Sequence, residues 1–486
     1  MTLATCDPLH RELYVSHHLE RLHIVVLSTV LPVPQDGGQR RRAHELLVRL
    51  AHDHDISWLC SSRRFREDVA LAPTLSALTR RVIVRAAAEQ VRATVPSSDR
   101  RGGGLRALRR QLALPAPPAS PYVPSVPQHV AASLSRDLAA DLKRLLASER
   151  VDLIQADAAL LPHLPADLTV PLVVVEHPVH SDLWDQRVEA AVDADEARQC
   201  ARQAVAARRY EQATWRRAKA IVTVTQEDTE QLFERLPGLD VRLVPNGYDH
   251  DPDLALPAGD SRVLGADASA VVEGHPTVVY AADLTNPVSA DTALVLSRDV
   301  LPKVQNLIPG AMLVLAGPLP PGGLPFLKRE GVLMPGRLSS FAPLLSRADV
   351  VAIPARVAEG SSVPVLEALH AGRAVVASSP ALRGLSSNAR EAVVTCEEPQ
   401  TFAAAVARLL KDKRAREAQQ QLAGRATQGL PTWSEAAMLL DKVWQEVARG
   451  EAGEAAEAAQ AGELPDAAQA GVNTRLATAE VGLPAA

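Results

Sequence analysis

Short apolar runs alternate with longer amphipathic stretches twice over along this chain, and that alternation leaves few folds open. His23 to Thr29, Ile56 to Cys60, Arg81 to Val84, Leu153 to Ala156 and Leu172 to Val175 are runs of strand length, with helical patterns between them. After Asn246-Gly247 the alternation restarts with Val278 to Ala282, Met312 to Ala316, Val350 to Ile353 and Ala374 to Ala377, followed by a helical pattern from Ala403 to Leu410. Near-continuous apolar strands separated by helices belong to parallel α/β sheets covered on both faces. A chain of 486 residues is too long for one ordinary core. The expectation is two Rossmann-like domains facing each other across a cleft.

The predicted division is a tail over 1–21, a first domain over 22–245, a linker over 246–275 and a second domain over 276–430. A helix over 431–449 follows, with Trp433 to Val447 amphipathic. The Ala- and Glu-rich stretch 450–486 has no pattern and is expected to be disordered. An Arg/Gly-rich then Pro/Ala-rich insertion at 95–130 interrupts the first domain. Its plain reading is a surface insertion. Its functional reading is an acceptor-facing segment or peripheral membrane contact through 100–112, where five arginines and Leu105, Leu108 and Leu112 suit a basic amphipathic helix.

Composition removes several classes. The net charge of −5 argues against a nucleic-acid binder. Cys6, Cys60, Cys200 and Cys396 are scattered, which argues against a zinc site or a disulfide framework. The first twenty residues carry no apolar signal core, and no run approaches the ~20 apolar residues of a spanning helix. A cytoplasmic protein is expected. Asp193-Ala-Asp195 and Asp249-His-Asp251 have a metal-pair spacing, but both lie in polar stretches where chance supplies it, so no metal is expected.

The chemistry concentrates in Glu359-Gly-Ser-Ser-Val-Pro-Val-Leu-Glu367-Ala-Leu-His-Ala-Gly372. It follows the Val350–Ile353 run and reads as strand, polar turn and helix. A helix N-terminus carries unpaired N–H groups and positive dipole charge, so it suits a phosphate or diphosphate. Ser361, Ser362 and Val363 are the candidate N–H donors. Two carboxylates beside a phosphate would repel it unless they bind sugar hydroxyls on either side.

This E-x7-E setting resembles the donor-sugar site of the retaining glycosyltransferases of family 4, which have the GT-B fold. Leu31-Pro-Val-Pro-Gln-Asp-Gly-Gly-Gln-Arg-Arg-Arg42 is similar to the family's first glycine loop, and Val174-Val-Glu-His177 to its mid-domain histidine strand. Trp215 to Thr225 and Val244-Pro-Asn-Gly247 resemble two further family segments, in the expected order. The resemblance implies a glycosyltransferase of the bacterial polysaccharide or glycolipid type. It would take a nucleotide-diphosphate sugar as co-substrate, use no cofactor, and act on a saccharide or lipid-linked acceptor. It also implies that Gly37 and Gly38 approach the diphosphate, with Arg41 beside them. His177 would lie by the transferred sugar, Glu359 on its hydroxyls and Glu367 on the nucleotide ribose. Glu176 is a candidate to orient the His177 ring. Arg40 and Arg42 read equally as a solvated face.

One departure stands out. Many family members carry an Arg and a Lys in the loop after the second domain's first strand, whereas Tyr280 to Asp291 has no basic residue. Arg356 and Arg337, in the loop Pro335-Gly-Arg337, are the expected substitutes. Two rival readings stay open: a degenerate GT-B protein that binds sugar or acts as a scaffold, and a nucleotide-sugar epimerase.

Overall fold

The computed structural model describes residues 20–88, 126–191, 193–248, 274–320, 322–338 and 340–450. Two parallel sheets organise them. The first contains β1 (His23–Ser28), β2 (Asp55–Ser62), β3 (Arg81–Ala86), β4 (Leu153–Asp157), β5 (Leu172–Glu176), β6 (Ala220–Thr223) and β7 (Val241–Leu243). Their spatial order is β3-β2-β1-β4-β5-β6-β7. The second contains β8 (Thr277–Ala281), β9 (Met312–Ala316), β10 (Val332–Gly336), β11 (Val350–Ile353), β12 (Ala374–Ala377) and β13 (Val393–Thr395), in the order β10-β9-β8-β11-β12-β13. In each sheet the chain reverses direction of travel beside its first strand, β1 or β8. Ligands of open parallel sheets bind outside the carboxyl ends of the strands at that switch point.

The central strands form where the apolar runs predict them because helices cover both their faces. β1 and β8 are buried along their whole length. The edges differ. Pro335-Gly336 lies in strand β10 rather than in a loop. The register between β10 and β9 shifts between Leu333 and Gly336, and an edge strand with such an irregularity tolerates a proline.

The helix Trp433–Arg449 belongs to the first domain's core. Trp433, Ala436, Ala437, Leu440, Val443, Trp444 and Val447 form one helical stripe, packed with Ile24, Val26, Leu46 and Leu47. Thr432 and Glu435 make a reciprocal capping box at its start. Gly450 ends it in the left-handed conformation, φ 81°. The Trp444 indole N–H donates to Gln155 Oε1 at 2.8 Å.

Arg40 and Arg42 are not a solvated face. Both are buried on the helix Gly38–Leu50. Arg40 pairs with Asp68 at 2.9 Å. Arg42 donates to the Val244 and Pro245 carbonyls and to Asn246 Oδ1, at 2.8–2.9 Å. Burial pulls its guanidinium down to about 10. Arg42 therefore ties the segment that leaves the first domain to that domain's first helix.

Asp193 is a helix cap, accepting from the Glu196 N–H at 2.8 Å, and Asp195 pairs with Arg198. Residues 1–19, the insertion up to 125 with its basic segment 100–112, most of the linker with Asp249-His-Asp251, and 451–486 lie outside the described residues. No described helix is long and apolar enough to cross a membrane.

Candidate active site

The carboxyl ends of β1, β4 and β5 form one wall of the cleft. Asp157 ends β4, and its Oδ2 accepts from Ser28 Oγ at 3.1 Å, Thr29 N at 2.7 Å and Thr29 Oγ1 at 2.9 Å. Its Oδ1 lies 3.3 Å from His177 Nε2. Burial alone would raise this carboxyl. The hydrogen bonds and charge of His177 and the bonds from Thr29 outweigh burial and hold it below the usual range. Asp157, not Glu176, therefore orients the His177 ring. Neighbouring residues of an extended chain point to opposite sides, and Glu176 accepts from the Trp215 indole at 2.8 Å on the other face. Burial there pushes its carboxyl up to about 8. A cavity of about 50 Å³ opens beside Asp157 and His177, lined also by Ser28, Gln39 and Trp444.

The opposite wall is the turn between β11 and the helix Val363–His370. Glu359 is exposed and accepts from Asn286 Nδ2 at 2.7 Å. Asn286 in turn caps the helix Pro287–Val295. Gly360 has φ 59°, and a Cβ there would lie 2.7 Å from the His177 carbonyl oxygen. Glycine is thus required both for backbone conformation and for close approach of the walls. The Ala358 N–H donates to Gln186 Oε1 of the first domain at 2.7 Å.

The glycine pair closes this space from the side. A Cβ on Gly38 would stand 2.8 Å from Val363 Cγ2, and one on Gly37 3.3 Å from Asp283 Cβ. The domains are therefore in contact at the helix N-terminus. Two of the three expected N–H donors already have acceptors, Val363 N–H in Ser361 O at 2.9 Å and Ser362 N–H in Arg383 O at 3.4 Å.

Glu367, one turn into the helix, pairs with Arg41 of the first domain at 2.8 Å. Burial raises its carboxyl and Arg41 offsets only part of that. A small pocket beside the pair is lined by Arg41, Tyr248, Ser340, Phe341, Ala342, Leu345 and Glu367. Tyr248 stacks on His370 with centroids 3.4 Å apart, and the Arg41 guanidinium lies 5.4 Å from the Tyr248 ring centre.

The expected diphosphate cations are otherwise occupied. Arg356 Nε donates to Asp291 Oδ2 at 2.8 Å, and its Nη2 also bonds Asp291. Arg337 places Nε 2.8 Å from Asp36 Oδ2 and its terminal nitrogens on Glu67. A residue that sequence reasoning did not single out joins this region. Arg64 bonds Asp36 Oδ2 at 2.8 Å and, across the cleft, Asp283 Oδ2 at 2.9 Å. Asp157 was legible in principle, as an acid ending a parallel strand. Nothing local to Arg64 announces its partner in the other domain.

Residues 275–412 match the family model described as glycosyl transferases group 1. No curated protein matches the chain at the level of sequence. Sucrose-phosphate synthase from Thermosynechococcus elongatus is similar in structure, with TM-score 0.59 and 16% identity over 88% of this chain and 100% of that one. Anabaena HepE, solved with UDP and glucose, gives TM-score 0.55 and 14% identity over 87% and 99%. WaaG, a glycosyltransferase involved in lipopolysaccharide biosynthesis, gives TM-score 0.55 and 12% identity over 88% and 100%. At these identities the likeness is one of fold. Residues 275–412 form a glycosyl transferases group 1 domain, and the chain as a whole has the GT-B fold of the glycosyltransferases.

Proposed function

We propose that this protein is a retaining, family 4 type glycosyltransferase that moves a sugar from a nucleotide-diphosphate donor to a saccharide or lipid-linked acceptor without a metal. The observation that carries the reading is the bracket of Glu359 and Glu367 around one helix N-terminus, pressed against the glycine pair of the other domain. In this reading the two walls part to take a diphosphate between the two carboxylates, with sugar hydroxyls towards Glu359 and ribose hydroxyls towards Glu367. HepE's complexes with UDP and with UDP-glucose support a donor of that class on this fold. WaaG's role in lipopolysaccharide biosynthesis supports a saccharide or lipid-linked acceptor.

In this reading Glu359 orients the transferred sugar, and His177, fixed by Asp157, meets its other side. Glu367 exchanges Arg41 for the ribose or shares both. The test is a donor panel scored by release of nucleoside diphosphate, with the anomeric configuration of the product read by NMR.

One observation favours a second reading, a degenerate protein that binds sugar without transfer. Arg41, Arg337 and Arg356 are each paired with a carboxylate. A panel that shifts the melting temperature but releases no diphosphate would select that reading.

A further inference from the structure

Resting on the transferase reading above, we propose that Arg64, a first-domain residue, is the cation that meets the donor's diphosphate. The argument begins with repulsion. Asp283 follows β8, and a Cβ on Gly37 would lie 3.4 Å from its Oδ2. An unneutralised carboxylate there would oppose a diphosphate at the glycine turn, and the loop from Tyr280 to Asp291 holds no basic residue to offset it.

Arg64 supplies the offset from the opposite domain. It follows β2, where the Ser62 hydroxyl accepts its backbone N–H at 2.8 Å. Its side chain is 15% exposed and spans the two acids that flank the glycine turn, Asp36 before it and Asp283 across from it. Asp36 is buried, and its Oδ1 has no hydrogen-bond partner among the described residues, so the guanidinium is anchored on a carboxylate that cannot follow it into solvent. A guanidinium has five N–H donors in a fixed fork. Asp36 and Asp283 take two, which leaves three for phosphate oxygens. Arg356 is paired with Asp291, and Arg337 with Glu67 and with the same Asp36 Oδ2, whereas Arg64 alone of the three is paired with Asp283 across from the glycine turn.

When the bond from the anomeric carbon to the diphosphate breaks, its electron pair stays on the departing diphosphate. The acceptor's hydroxyl oxygen bonds the anomeric carbon, and its proton passes to that diphosphate or to water. Charge grows on the diphosphate as it leaves, and donors fixed in advance lower that barrier most. Because Arg64 and Asp283 belong to different domains, the cation reaches its place only when the cleft closes.

The test uses isothermal titration of the full chain with UDP, GDP, ADP and dTDP and with the matching monophosphates. Wild type should bind one diphosphate at least about tenfold more tightly than its monophosphate. Arg64→Gln should weaken that diphosphate by about 10- to 100-fold and leave the monophosphate within about twofold, which also shows that the variant is folded. Arg64→Lys should fall between the two. Unchanged diphosphate affinity in Arg64→Gln, equal loss of both ligands, or an Arg64→Lys no better than Arg64→Gln would overturn the assignment. A wild type that binds none of these nucleotides would instead overturn the transferase reading itself.

Discussion

The two walls of the cleft are built differently. Asp157 and His177 sit in one domain, and the Asp157 carboxylate draws its hydrogen bonds from Ser28, Thr29 and His177 of that same domain. Glu367 and Gly360 complete their contacts only across the cleft, with Arg41 and with the His177 carbonyl. The first wall is organised before a ligand arrives, whereas the second is organised by closure. Changes to the contacts that cross the cleft, at Gly360 and Glu367, should therefore affect both binding and transfer, and changes to the Asp157–His177 pair should affect transfer alone.

Gly360→Ala should have the largest effect. The left-handed backbone costs a non-glycine residue roughly 1–2 kcal/mol, and the added carbon would meet the His177 oxygen at 2.7 Å. Transfer should fall by about two orders of magnitude, while the far-UV spectrum stays native. Near-wild-type turnover would mean that the walls do not need this approach. Glu367→Ala should weaken the nucleotide by about 1.5–3 kcal/mol, the range of a charge-assisted hydrogen bond. An unchanged Kd by calorimetry would leave Glu367 as a partner for Arg41 and nothing more. Asp157→Asn should lower kcat roughly tenfold with the nucleotide Kd unchanged, because it frees the His177 ring without touching the second wall. An equal loss in both would erase the contrast between the walls.

Much of this arrangement is legible in the chain, for a physical reason. Strands buried on both faces must be apolar throughout, so β1, β8 and β11 announce themselves. The edge strands β7 and β13 have three residues each and are partly exposed, and they leave no comparable run. The glycine pair and the Glu359–Glu367 spacing are local patterns. The partners of Arg64, Arg356 and Arg337 are not, since each lies far off in sequence and the direction of an arginine side chain leaves no local trace. Glu176 and His177 show the converse. Alternation along an extended chain already places them on opposite faces, which removes Glu176 as a partner for the His177 ring.

The smallest expected effect concerns pH and again separates neighbours. Glu176 is raised to about 8 by burial, so between its unfolded value and 8 the folded state holds the extra proton. Stability from this group is therefore full below the unfolded value and is lost as pH rises through about 8. Asp157 is depressed. Its contribution is present above the unfolded value and is lost as pH falls through the folded one. Glu176→Gln keeps the acceptor for Trp215 and removes the titration. It should melt at or near wild type at pH 5 and higher at pH 9, by roughly 2–4 °C for each kcal/mol relieved. A difference of melting temperature independent of pH would contradict that assignment.

The central claim is that the bracket of Glu359 and Glu367 holds a nucleotide sugar for transfer. The most direct measurement follows a panel of nucleotide-diphosphate sugars by phosphorus NMR, with water or a simple alcohol as acceptor, for wild type and Glu359→Gln. Wild type should release nucleoside diphosphate from at least one donor. Glu359→Gln should bind that donor within about threefold of wild type yet release it about 10- to 100-fold more slowly. Equal release by both proteins would remove Glu359 from the site, and no release from any donor by wild type would contradict glycosyl transfer itself.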